Sequence, residues 1–340
     1  MNILVTGSDG YLGCLLAPLL ARQGHRVIGI DTGFYKGGWL YHGVDLSIET
    51  RHKDLRQIEP EDLKGVDAVV HMAELSNDPL GTLAPDITYA INYQGSSRLA
   101  GLAKAAGVRQ FIYMSSCSVY GLAADECVNE QSAVNPQTAY AECKTLVERD
   151  LLALATDQFS PTIMRNATAF GASPRMRFDL VLNNLAGLAW TAREIVMTSD
   201  GTPWRPLVHA LDIGQAIVCA LAAQRETVHR QIFNVGDTKQ NYQVRQIAEI
   251  VSDVFPGCRL SFGSPDQDNR SYRVSFDKIS RQLPGFRCQW DARRGAEQLL
   301  RIFQAIDMTG ETFGSRHYTR LKQLEYLLRT QQINQDYHWS

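Results

Sequence analysis

The chain has 340 residues, 44% of them hydrophobic and 21% charged, a length that suits two lobes or one large α/β domain. Its formal net charge of −2 gives no electrostatic case for nucleic acid or an anionic membrane as partner, and no apolar run reaches the roughly 18 to 20 residues of a membrane span. The seven cysteines are scattered, with no CxxC or Cys/His cluster, so neither a disulfide framework nor a metal site is expected. With no signal-peptide pattern at the start, a reducing cytoplasm is the expected location.

The first predicted element is a buried strand, Ile3-Leu4-Val5, which breaks at Gly7 before a helical pattern that starts near Gly10. Gly7 allows the tight turn, Gly10 admits a pyrophosphate to the backbone, and Gly13 lets helix and strand pack closely. The backbone from Asp9 through Tyr11 and Leu12 then offers N–H groups and a positive dipole end to phosphate oxygens. A second strand, residues 26–30, ends at Asp31, whose carboxylate suits the adenosine ribose hydroxyls and repels a 2′-phosphate. NAD is therefore the expected cofactor.

Residues 49–61 follow, with Asp54-Leu55 where a third strand delivers a loop to the adenine. Next come a strand over 66–71, a helix over 86–106, a strand over 108–114, a long helix over 140–156 and a strand over 161–165. This alternation predicts a Rossmann-type, doubly wound parallel sheet over residues 1–170. Beyond Phe170, prolines at 174, 203, 206, 256, 265 and 284 punctuate shorter elements. Residues 171–340 are expected to form a smaller substrate-binding lobe, with segments around 205–235 returning to the Rossmann core. The tail at 318–330 has an amphipathic pattern that predicts a packing helix.

Two clusters carry the chemistry. Tyr140 and Lys144 stand at i and i+4, on one helix face. A nearby ammonium and a nicotinamide cation favour phenolate, which can take a proton from a substrate hydroxyl as hydride leaves the same carbon. Upstream, Ser115-Ser116-Cys117-Ser118-Val119-Tyr120-Gly121 ends a buried strand in small donors suited to an alkoxide or ketone oxygen.

With these residues, the glycine motif, Asp31, Asp54-Leu55, His71-Met72-Ala73 and Asn92, the chain resembles the extended short-chain dehydrogenase/reductase family of sugar-nucleotide epimerases and dehydratases over nearly its whole length. The resemblance implies that Ser116 bonds the reacting oxygen, that Tyr140 is the base, and that Lys144 holds the nicotinamide ribose and tunes Tyr140. It implies cofactor contacts at Met72, Ala73 and Asn92, and a nucleotide-diphosphate sugar as substrate. Substrate contacts are expected at Thr168, where the family usually has Asn, and at Asn183, Arg205, Arg270 and Arg273. A homodimer through the helices at 86–106 and 140–156 is also implied.

The family's 4,6-dehydratases typically carry Asp and Glu at the positions of Cys117 and Ser118. Serine is a poor base for a C–H proton. Cys117 stands one residue from the thiol acid of C3/C5 epimerases, so its expected role is packing, with weak acid as the alternative. Glu74 occupies a position where the family commonly has Ala, near the sugar, with a solvated loop carboxylate as the alternative reading. The minimal set Ser116, Tyr140, Lys144 and NAD suffices for 4-epimerisation, which is the leading expectation. The alternatives are a dehydratase using Glu74, Glu126 or Glu130, a 4-ketosugar reductase, and a non-catalytic NAD-sensing protein, which intact Tyr140 and Lys144 disfavour.

Overall fold

The computed structural model describes residues 1–43, 48–76, 83–122, 127–264 and 271–340. Its first strand, β1 (Asn2–Thr6), buries Ile3, Leu4 and Val5 completely. An uninterrupted apolar run marks a strand covered on both faces, as in the middle of a parallel sheet. β1 lies between β2 (Arg26–Asp31) and β4 (Ala68–His71), with Thr6 opposite both Ile30 and His71. β3 (Glu49–His52) closes one edge; β5 (Gln110–Ser116), then the strands Ser160–Asn166 and Gln231–Val235, extend the other.

All seven strands are parallel. The chain winds outward in one direction from β1 through β3 and in the other from β4 onward. The C-terminal ends of β1 and β4 therefore flank the reversal point, where loops diverge and leave a crevice.

Local chemistry shapes that crevice. α1 (Gly13–Arg22) starts against β1 because Gly13 has no side chain; a Cβ there would lie 2.1 Å from the Gly7 carbonyl oxygen. Gly7 itself has φ = 74°, and its Cβ would press on the Met72–Ala73 backbone at 3.0 to 3.1 Å. Thr6 Oγ1 accepts from the Met72 and Ala73 amides, 3.2 Å each, and meets His71 Nδ1 at 2.7 Å. His71 Nε2 meets Ser96 Oγ at 2.8 Å, and burial pushes this imidazole down to about 3, so it is a neutral strut.

The helix expected over 86–106 is broken into three pieces. Residues Pro85–Thr88 and Ser96–Ala105 are α-helical, while Tyr89–Gly95 widen into a π turn that contains Asn92. Such turns recur where a side chain is re-aimed at a site. Here Asn92 is fully buried and clamps the Leu75 backbone, accepting from its N–H (2.8 Å) and donating to its carbonyl (3.1 Å).

The second half divides its strands. Gln231–Val235 joins the main sheet, and the helix Ala210–Ala222 packs on α1. Trp204–His209 instead pairs parallel with Thr168–Phe170 and antiparallel with Asn241–Gln243, in a separate three-stranded sheet over the strand ends. Helices Val181–Thr191, Val244–Val254 and Ala292–Ala305 share an apolar core with Phe170, Phe178 and Leu207. No helix among the described residues is long and apolar enough to cross a membrane.

Candidate active site

The crevice is one cleft of about 420 Å³ that runs from the glycine turn to the end of β5. At its first end, Gly7, Gly10, Tyr11, Leu12 and Gly13 form a floor. The Tyr11 and Leu12 amides have no acceptor among the described residues, so they face the cleft as donors. Asp31 lies beside them, its carboxylate held by the Gly33 (2.8 Å) and Asp9 (3.1 Å) amides, with burial pushing it above the usual carboxylate range. Asp54 and Leu55 line the next wall, Asp54 fixed by Arg56 at 2.7 Å. Open amides at a helix start, a tight glycine cradle and a carboxylate at the end of β2 fit a dinucleotide without a 2′-phosphate.

At the other end the helix Ala139–Leu154, capped by Thr138 Oγ1 on the Ala141 amide (3.2 Å), presents Tyr140 and Lys144 to the cleft. Lys144 Nζ lies 5.5 Å from the centre of the Tyr140 ring and 4.7 Å from that of Tyr113. It donates to the Met114 carbonyl and pairs with Glu74 Oε2 at 2.6 Å, with 5% of the lysine side chain and 1% of the glutamate exposed. Tyr113 Oη donates to Glu74 Oε1 at 2.7 Å. Burial raises the Glu74 carboxyl; Lys144 and the Tyr113 hydrogen bond oppose that rise. Glu74 is therefore built into the ammonium's surroundings rather than solvated.

Ser116 ends β5 and lines the cleft, its Oγ accepting from the Ser118 amide at 3.1 Å. Ser118 Oγ and Asn166 Oδ1 line the same wall, buried and without a hydrogen-bond partner among the described residues. Such orphaned polar atoms are costly unless a ligand or water completes them. Asn166 stands in register with Ser116 and gives its amide hydrogens to the Ser115 and Met164 carbonyls. Asn166 belongs to no sequence motif named above; its signal is its place at the end of the strand beside β5. Thr168 and Arg205 complete this end with Tyr272.

Other expected site residues stand elsewhere. Cys117 points the opposite way from Ser116 and Ser118: its thiol is buried, donates to the Arg165 carbonyl at 3.3 Å, and is pushed well above the usual thiol range by burial. An acid role at the sugar is thereby replaced by packing. Asn183, expected at the substrate, is fully buried; it accepts from the Gly171 amide (2.9 Å) and donates to the Arg177 carbonyl (3.1 Å) and Tyr11 Oη (3.3 Å). Asp9 turns its carboxylate away from the glycine floor to Arg175, bidentate at 2.7 and 2.9 Å. Asn92 shapes the Leu75 backbone instead of lining the cleft. Arg273 stacks on Trp204, 5.3 Å to the ring centre, outside the lining. Glu130 accepts from the Asn234 amide at 2.8 Å, and Arg270 and Glu126 lie outside the described residues.

Residues 3–236 match the model of the NAD dependent epimerase/dehydratase family. The chain belongs to this family. Among relatives, the UDP-glucose 4-epimerase of Bacillus subtilis is 25% identical over 332 residues, covering 88% of this chain and 94% of its own. The human UDP-glucose 4-epimerase is 27% identical over 288 residues, covering 73% and 80%. Similar solved structures include an NAD-dependent NDP-hexosamine 5,6-dehydratase of tunicamycin biosynthesis (TM-score 0.79, 24% identity, 90% of this chain and 99% of that one). Another is the UDP-glucose 4-epimerase of Thermotoga maritima, solved with UDP-glucose (TM-score 0.78, 20% identity, 91% and 100%). The parallel sheet and cleft are thus this enzyme family's fold, and NAD is its cofactor.

Proposed function

We propose that this enzyme epimerises a nucleotide-diphosphate sugar at C4 through a transient 4-keto sugar. The observation that carries the proposal is the catalytic end itself: Ser116, Tyr140 and Lys144 share it, and the carboxylate there, Glu74, is already paired with Lys144. Bound NAD supplies reversible hydride acceptance. Tyr140 takes the C4 hydroxyl proton and later returns one, Lys144 holds the positive charge that favours phenolate, and Ser116 bonds the C4 oxygen. Arg205, on the substrate side, suits a diphosphate. The epimerase relatives support the same reading. In this reading residues 1–170 hold the cofactor and residues 171–340 mainly the substrate.

A second reading rests on Glu74. It is the one acidic side chain at this end among the described lining residues, and its raised carboxyl suits proton transfer in a dehydratase. Incubation with a panel of nucleotide sugars in deuterated water separates the two. Inversion at C4 with no deuterium on carbon is the expected result; deuterium at C5 with loss of water would establish the dehydratase. The enzyme is further proposed to be a homodimer through the faces of Ser96–Ala105 and Ala139–Leu154, which pack side by side. Sedimentation at twice the chain mass is expected, and a stable monomer would refute it.

A further inference from the structure

Three arginines stand around the glycine-turn end of the cleft, and two are fully engaged. Arg175 grips Asp9 and donates to the Lys36 and Gly38 carbonyls at 2.6 and 2.9 Å. Arg177 forks onto Asp179, at 3.0 and 2.8 Å, and donates to Ser76. The third, Arg320, opens the C-terminal helix Arg320–Arg329. It is 5% exposed, lines the cleft, and has no hydrogen-bond acceptor or carboxylate within bonding distance among the described residues. Its guanidinium lies over the Tyr35 ring at 3.9 Å, and a ring face offers no lone pairs to five N–H donors. A buried cation without acceptors is unfavourable in the empty protein, so the arrangement makes sense only when an anion completes it.

The surroundings identify that anion. Arg320 lines the same cleft as Asp31 and the glycine floor and stacks on Tyr35 of the loop after β2, with Arg177, Asp179 and Asp31 as the charged groups that act on it. Arg320 thus shares one cleft with the ribose-side carboxylate and the open amides. Asp31 disfavours a phosphate on the ribose itself, which leaves the diphosphate as the acceptor.

The C-terminal segment is also fastened to this end of the cleft. Gln323 Nε2 donates to the Phe34 carbonyl (3.0 Å), Trp339 Nε1 to the Thr32 carbonyl (2.7 Å), and the Phe178 amide to the Tyr318 carbonyl (2.9 Å). These bonds join the C-terminal segment to the loop after β2 and to the stretch after Phe170. The helix that carries Arg320 is consequently held in place before any ligand arrives.

We infer that Arg320 is a cofactor-binding residue supplied by the C-terminal helix, its guanidinium closing over the diphosphate of the dinucleotide opposite the Tyr11 and Leu12 amides. The inference rests on the cofactor and not on the sugar reaction, so a failure of the epimerase reading leaves it standing. Its test is calorimetric titration of charcoal-stripped protein with NAD, ADP, adenosine and 2′-AMP, for wild type, Arg320→Met and Arg320→Lys. For Arg320→Met, NAD and ADP are expected to bind roughly 10- to 100-fold more weakly, with adenosine within about twofold of wild type. Arg320→Lys should fall between, since lysine keeps the charge and loses the fork. Nucleotide-free Arg320→Met should melt no lower than wild type, while the rise in melting temperature on adding NAD shrinks. Unchanged ADP affinity with a lower melting temperature would make Arg320 a packing residue and overturn the inference. Loss of 2′-AMP binding alone would overturn it in favour of a 2′-phosphate site.

Discussion

Tyr140→Phe is expected to lower turnover by about three orders of magnitude while NAD remains bound, because the variant removes one oxygen and leaves the ring in place. The phenol stands at the first turn of a capped helix, and Lys144, 5.5 Å from its ring, is anchored from three sides. Those anchors are the Met114 carbonyl, the Glu74 carboxylate and the Tyr113 ring, and phenylalanine disturbs none of them. The expected loss therefore falls on kcat, with NAD affinity by fluorescence titration within a fewfold of wild type. Turnover near that of the parent would remove Tyr140 from the chemistry and return attention to Glu74.

The second large effect is on stability. Glu148 and Arg165 form a buried bidentate pair beneath the end of β5, Arg165 Nη2 to Oε2 at 2.6 Å and Nε to Oε1 at 3.0 Å, with 5% and 6% of their side chains exposed. Ser115 Oγ donates to the same carboxylate at 2.5 Å. Arg165 Nη1 donates to Tyr120 Oη at 3.1 Å, and Tyr120 Oη donates to Asn234 Oδ1 at 2.7 Å. The network ties the helix that carries Tyr140 to three strands of the sheet. Glu148→Ala leaves a guanidinium buried without its carboxylate, which costs about 3–5 kcal/mol. Urea or thermal unfolding should register that loss, equivalent to roughly 4–7 °C for a protein of this size. Glu148→Leu combined with Arg165→Met removes both charges and should lose much less. A single variant as stable as wild type, or a double variant as weak as the single, would show that the pair is not what holds this corner.

Much of the site was legible because its chemistry is local. Gly7, Gly10 and Gly13 are spaced by the needs of one turn, and Tyr140 and Lys144 by one helical period, so each group is complete within a few residues. The alternation of apolar runs was enough for the parallel sheet, since strands buried on both faces carry their environment in their own composition. Thr168 and Arg205 also stand in the cleft, as expected from the resemblance.

What the sequence left undecided depends on partners far along the chain. Asn183 and Asp9 are polar residues beside a site, and only the fold reveals that Gly171, Tyr11 and Arg175 already use them. Cys117 and Ser116 are neighbours in sequence, yet one faces the core and the other the cleft. Glu74 could be read as a loop carboxylate until Lys144 was found 2.6 Å away, seventy positions later. The C-terminal helix has the apolar stripe of a packing element, and it does pack through Leu324 and Leu327. The same helix brings Arg320 to a glycine turn more than three hundred residues upstream. The sequence by itself determined the cofactor cradle, the parallel sheet and the Tyr140–Lys144 pair, because each is written in short-range spacing. Tertiary structure alone decided which polar groups remain open to a ligand, because hydrogen-bond capacity is consumed by whichever distant group the fold brings within reach.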